Sequence, residues 1–129
     1  MSTIKNFEDL ECWKLARVLC RKIYYFTNKD KFSRDFSLKN QIRNSSGSVM
    51  DNIAEGFSRG GNKEFIQYLS ISRGSIGEVK SQLYRAIDQG YITSKELSTI
   101  KDLVDQIGRA ITGLMNYLKR SNLKGFKYQ

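Results

Sequence analysis

The chain has 129 residues, with 22 Lys and Arg against 13 Asp and Glu, for a formal charge of +9. With 40% hydrophobic and 12% aromatic residues it can build one domain around its own core, since a chain of this length removes roughly two thirds of its unfolded surface from water on folding. Histidine is absent, which excludes Ser-His-Asp and Cys-His nucleophilic catalysis, imidazole acid-base chemistry and His-ligated zinc.

Proline is absent too, where average usage of roughly 5% would supply about six, so nothing interrupts long helices. The first helix is expected from about Phe7 to Thr27, with Asn6 as its N-cap and Cys12, Leu15, Ala16, Leu19, Ile23 and Phe26 on one apolar stripe. Cys12 and Cys20 then stand about 12 Å apart along one helix, beyond the roughly 7 Å that a disulfide spans. They read as packed thiols in a reducing compartment. Lys29 to Ser33 reads as a loop. The second helix runs from about Asp35 to Ser58, with Leu38, Ile42, Val49, Ile53 and Phe57 inward, and stops at Gly60-Gly61. Asn62 is placed to cap the third helix, about Lys63 to Gln89, whose seam is Phe65, Leu69, Ser72, Ile76, Val79, Leu83 and Ile87, closed by Gly90. A Thr93/Glu96 capping box opens the fourth, about 94–119, whose stripe is the most regular in the chain: Leu97, Ile100, Leu103, Val104, Ile107, Ile111, Leu114 and Leu118. Residues 120–129 form a basic tail. Short connections make neighbouring helices antiparallel, so the fold class is all-α, an antiparallel up-down-up-down four-helix bundle over residues 1–129. The N-terminus lacks a signal-like apolar run and no stretch approaches the roughly 18 apolar residues of a membrane span, so a soluble, cytoplasmic protein is expected.

Residues 1–43 carry ten basic and five acidic groups, 44–92 five and five, and 93–129 seven and three. The excess of +5 and +4 at the two ends is expected to merge, because the first and fourth helices of such a bundle are neighbours. On the first helix Lys14, Arg17 and Arg21 recur at spacings of three and four, Lys22 adjoins them, and Lys29, Lys31 and Arg34 follow. No base-reading signature accompanies them, so the expected target is phosphate backbone. Arg43, Lys119 and Arg120 extend the candidate nucleic-acid-binding set, and Phe126 and Tyr128 in the tail offer faces for unpaired bases. The opposing reading of all these cations is a solvated face that aids solubility.

On the second helix Ser45, Ser48, Asn52, Glu55 and Arg59 share a sector roughly 80° wide beside the apolar stripe. Glu55 has no His or Cys partner for acid-base or nucleophilic work, so no catalytic role is assigned; the seam is expected to bond across to neighbouring helices or a neighbouring subunit. On the third helix Ile71, Gly74, Glu78 and Arg85 point away from the seam. Small Gly74 and Gly77 there either admit another subunit or admit a large side chain from the same bundle. No cofactor or metal site is expected, no phosphate cradle occurs, and the apolar faces are claimed by the core rather than by a membrane.

The stretches QIRNSSGSVMDNIAEGFSRG (Gln41 to Gly60) and EFIQYLSISRGSIGEVKSQLYRA (Glu64 to Ala86), with FEDLECWKLA (Phe7 to Ala16) and QGYIT (Gln89 to Thr93), resemble a bacterial family of four-helix-bundle proteins. Its members were first noticed as reading frames in intervening sequences of 23S ribosomal RNA genes, and they carry a ribosomal-protein-like label. The resemblance covers residues 7–118. The family's Gln-Ile-Arg falls on Gln41, Ile42 and Arg43, its Asn-Ile-Ala-Glu-Gly on Asn52 to Gly56, and its Gly-Ser-x-x-Glu on Gly74, Ser75 and Glu78. Asn44 stands where a second basic residue often follows Arg43, and Met50 where a proline is usual. A related branch contains the accessory proteins of diversity-generating retroelements, basic pentameric bundles that associate with a reverse transcriptase and nucleic acid. The resemblance thus implies self-association as a homopentamer, with Asn52, Glu55, Gly56, Gly74 and Glu78 as interface or family-motif positions, and it allows a reverse transcriptase-like partner. The expected function is a non-enzymatic accessory or scaffold protein that binds RNA or other nucleic acid; the alternative is a protein–protein interaction module with no nucleic-acid partner.

Overall fold

In the computed structural model, which describes residues 4–121, the first helix is shorter than its sequence pattern. Residues Phe7–Asp9 form a 3₁₀ turn and Leu10 is extended (φ −73°, ψ 130°), its side chain buried in the core, before α1 runs over Glu11–Thr27. Burying Leu10 wins over continuing the helix, and Asn6 makes no side-chain cap bond. The remaining elements are α2 (Asp30–Arg34), α3 (Phe36–Ser58), α4 (Asn62–Asp88) and α5 (Ser94–Arg120).

The segment read as a loop therefore contains a helical turn, α2. Asp30 enters it at φ 43°. Phe32 drops into the bundle end at 1% exposure and stacks on Tyr91, ring centroids 5.0 Å apart. Tyr91 in turn donates to Asp35 (2.9 Å), whose other oxygen accepts from Leu38 N–H (3.1 Å) and caps α3. These two hydrogen bonds, Leu38 first, hold the Asp35 carboxyl below its usual range.

Asn62 is not the cap of α4. It is the first residue of the helix, with Gly61 as N-cap, and its buried amide donates to Leu118 O (3.2 Å), tying α4 to the end of α5. At the far end Gly90 (φ 74°) makes a Schellman closure: its N–H bonds Ile87 O and that of Tyr91 bonds Ala86 O. The Thr93/Glu96 capping box opens α5 as expected.

Cross-helix contacts fix the register. Ser72 Oγ donates to Val49 O (2.9 Å) and Ser48 meets Ser75 (2.9 Å) between α3 and α4; Lys80 meets Asp105 and Arg73 meets Thr112 between α4 and α5; Cys20 Sγ donates to Ser46 O (3.2 Å) between α1 and α3. In each pair one residue number rises as the other falls, so the partners are antiparallel, and α1 closes the ring against α5. The apolar stripes meet at the centre, from Leu10 and Phe32 at the ends to Val49, Leu69 and Ile107 in the middle. Both cysteines are free; burial pushes the Cys12 thiol up to about 12, and Cys20, half-buried, is also raised by desolvation. Neither is an activated nucleophile.

Candidate nucleic-acid interface

The apolar stripe of α1 dictates where its cations go. Because Cys12, Ala16, Leu19 and Ile23 face the core, Lys14, Arg17 and Arg21 lie opposite, all exposed, with Lys22 on the edge nearest α5. The two ion pairs among the described residues, Arg59–Glu55 and Lys80–Asp105 (both 2.9 Å), involve none of them. Arg17 lies 5.9 Å from the Trp13 ring. This is a stripe of unneutralised positive charge against which a polyanion can settle.

The other cations assigned to binding are placed differently. Arg43 is built into the fold: its Nε donates to Thr27 Oγ1 (2.9 Å), its Nη2 to Asn28 Oδ1 (2.8 Å), and its guanidinium covers the Tyr24 ring at 4.1 Å. It clamps α1 to α3 first. Lys119 and Arg120 are exposed in the last turn of α5, where they also complement the helix dipole. Phe126 and Tyr128 lie outside the described residues. Between the two terminal helices Lys22 and Lys95 line one pocket together with Glu96. Lys101 turns to Tyr84 of α4 (2.6 Å), and Arg109 lines a groove of about 660 Å³ between α4 and α5 with Arg73, Lys80, Ile76 and Gly77. The regular stripe of α5 leaves those side chains on its α4 edge.

The polar seam of α3 divides. Ser45 is buried, and Ser48 bonds across to Ser75. Asn52 donates only to Ser48 of its own helix (2.8 Å to O, 3.0 Å to Oγ). Glu55 is exposed and pairs with Arg59 one turn on, so neither Asn52 nor Glu55 bonds across to a neighbouring helix of its own bundle, one of the two arrangements expected of the seam. Gly56 is buried where α3 meets α4: a Cβ there would stand 2.6 Å from Tyr68 Cβ. Gly74 and Gly77 are exposed and an added Cβ at either meets nothing within 4 Å, so they admit no large side chain from their own bundle. On the same outward side of α4 lie Ile71, 51% exposed, and Glu78. Glu78 and Gln82 line a shallow groove with Gln41, Asn44, Ser45 and Ser48, and Gln82 Oε1 is buried without a hydrogen-bond partner.

Sequence reasoning passed over the aromatic side chains beside the cations. Tyr24 and Tyr25 near the end of α1 and Phe36 at the start of α3 are 49%, 59% and 66% exposed. Lys29 sits 4.0 Å from the Tyr25 ring, a side-chain hydrogen bond with Tyr25 raises its ammonium above the usual lysine range, and Lys39 lies 5.3 Å from Phe36. The spacings Tyr25 to Lys29 and Phe36 to Lys39 were visible as i,i+4 and i,i+3 pairs.

A family model for the 23S rRNA-intervening sequence proteins matches residues 8–113. The chain belongs to that family. Its fold is also that of a crystal structure from Bacteroides thetaiotaomicron, a protein of unknown function from the S23 ribosomal protein family, at 20% identity and a TM-score of 0.75 over 81% of this chain and 95% of that one. No curated protein matches the chain. The run Asn52 to Gly56 lies in the second half of α3, with Gly56 against α4, and Gly74 to Glu78 lies on α4. Met50, where the resemblance led us to expect a proline, lies inside a helix unbroken from Phe36 to Ser58. Among the described residues no helix is long and apolar enough to cross a membrane, and no group of three or more Cys, Asp or Glu is placed to hold a metal.

Proposed function

We propose that this family member is a non-enzymatic homo-oligomer that binds RNA or other nucleic acid through phosphate contacts, as an accessory or scaffold. The observation that carries it is the α1 stripe: Lys14, Arg17, Arg21 and Lys22 exposed along one helix of a +9 chain with no acid paired to any of them. Acids are available in the chain, yet the two ion pairs among the described residues form elsewhere. Replacing Lys14, Arg17 and Arg21 together by Gln is expected to leave the far-ultraviolet circular dichroism and melting temperature unchanged. It should lower the log-affinity against log-salt slope for single-stranded RNA by about two, at roughly 0.7 per lost phosphate contact. An unchanged slope moves the site off α1.

The oligomer in this proposal is a ring of five that packs through the outward stripe of α4. Ile71, Gly74, Glu78, Gln82 and Arg85 recur at spacings of three and four on that side. Small Gly74 permits close approach, Ile71 supplies apolar area, and a donor from the next copy would satisfy Gln82 Oε1. Gly74→Leu is expected to lower the mass seen by light scattering while helicity persists; an unchanged mass places the contact elsewhere. The proposal includes a reverse transcriptase-like partner for such a ring, as the sequence resemblance to retroelement accessory proteins implies. A protein-recruiting module is the alternative reading, favoured by the groove between α4 and α5 with Ile76 and Val104 in its floor.

A further inference from the structure

Four of the six large apolar side chains that stand exposed among the described residues, Val18, Tyr24, Tyr25 and Phe36, lie on α1 and at the head of α3. Scattered single apolar side chains are ordinary on a protein surface; exposed aromatic ones that each carry a cation, as Tyr24, Tyr25 and Phe36 do, are not. At 100° per residue, Lys14, Arg17, Arg21, Tyr24 and Tyr25 fall within a sector roughly 100° wide on the solvent side of α1. Phe36, Lys39 and Arg43 recur at spacings of three and four along α3, and Arg43 reaches across to cover Tyr24. The basic stripe therefore runs into a corner faced with aromatic rings.

We propose that this corner binds unpaired bases by stacking, Tyr24, Tyr25 and Phe36 supplying the ring faces while the adjoining Lys and Arg hold the phosphates. The inference rests on the phosphate-binding reading of α1 and narrows its substrate to single-stranded or looped nucleic acid. In a duplex the bases are already stacked on one another and turn no face outward; in a single strand they are free to lie against an aromatic side chain, and every base has such a face. The rings are held for that use. Arg43 at 4.1 Å, Lys29 at 4.0 Å and Lys39 at 5.3 Å each lie against one ring, yet Tyr24, Tyr25 and Phe36 remain 49%, 59% and 66% exposed, which leaves room for a base. Bundle stability does not account for Phe36, which is two-thirds exposed although it opens a helix whose cap is made by Asp35 and Leu38.

The test compares a labelled oligouridylate with an abasic strand of the same length and phosphate number, by fluorescence anisotropy at one fixed salt concentration. The intact protein is expected to bind the base-bearing strand about 5- to 150-fold more tightly for each base stacked. Tyr25→Ala with Phe36→Ala, both at exposed positions, should reduce that preference by at least about fivefold and leave the salt slope as it was. Adding Tyr24→Ala should reduce it further. Equal affinity of the intact protein for the two strands, with salt dependence retained, overturns stacking and leaves phosphate binding standing. Failure to bind either strand overturns both. A double variant that keeps the full preference, or keeps it while its mass by light scattering falls, assigns the rings to another role and also overturns the proposal.

Discussion

Phe32→Ala is expected to cost about 3–5 kcal/mol of folding stability, the usual range for deleting a fully buried aromatic ring. A domain of this kind has roughly 5–15 kcal/mol in all, so one side chain on a five-residue helix accounts for about a fifth or more of the total. The reason is where the ring sits. Phe32 is 1% exposed and stacked on Tyr91, and Tyr91 holds Asp35, which caps α3. Its removal opens a cavity at the bundle end and loosens the tie between the α4–α5 connection and the start of α3. Thermal unfolding should shift down by roughly 12–20 °C. Phe36→Ala, four residues on and 66% exposed, should move the midpoint by no more than a degree or two; equal losses at the two positions would place Phe32 outside the core.

Gly56→Ala is expected to destabilise by about 2 kcal/mol, although alanine is the better helix former by about 1 kcal/mol. The new methyl would stand 2.6 Å from Tyr68 Cβ and 3.0 Å from the Phe65 ring. A Cβ cannot swing aside on its own side chain, so α4 itself must move away. That movement would lengthen the Ser72 to Val49 and Ser48 to Ser75 hydrogen bonds, both 2.9 Å, which depend on the same close approach. Gly113→Ala on α5 is the control: exposed, helical and with nothing within 4 Å of an added Cβ, it should gain about 1 kcal/mol. Opposite signs for the two substitutions, read from chemical denaturation midpoints at constant slope, check the packing directly. A gain at both would mean that α3 and α4 do not approach as described.

These two residues also show what was legible in the sequence. Gly56 was noticed as part of a motif, but its role follows from the α3–α4 register, which no single-helix pattern contains. Long stripes such as Leu97 to Leu118 announce themselves because the same spacing repeats over about six turns. Five residues of α2 are too few for a repeat, so Phe32 looked like part of a loop. Asn6 and Asn62 both looked like caps because Asn suits that position, yet burial of Leu10 and the bond from Asn62 to Leu118 O moved the helix starts by one to several residues.

At the candidate site the cations were readable one helix at a time, and their opposition to the apolar stripe placed them on the surface correctly. Arg43 was not readable, because its partners Thr27 and Asn28 lie on another helix. The divided charge of α5 depended likewise on which edge packs against α4. Tyr25 and Phe36 stand at i,i+4 and i,i+3 from Lys29 and Lys39, but spacing alone does not show that their rings stay in solvent.

The most direct measurement is the affinity of the full chain for a single-stranded RNA of about 20 nucleotides at several salt concentrations between 50 and 200 mM. With Lys14, Arg17, Arg21, Lys22 and Lys29 in contact with phosphates, the log–log slope is expected to be about −3.5, at 0.7 per contact. A flat response, or no binding at the lowest salt, would contradict a phosphate-binding role for the α1 stripe and leave the charge to solubility and to steering of a protein partner.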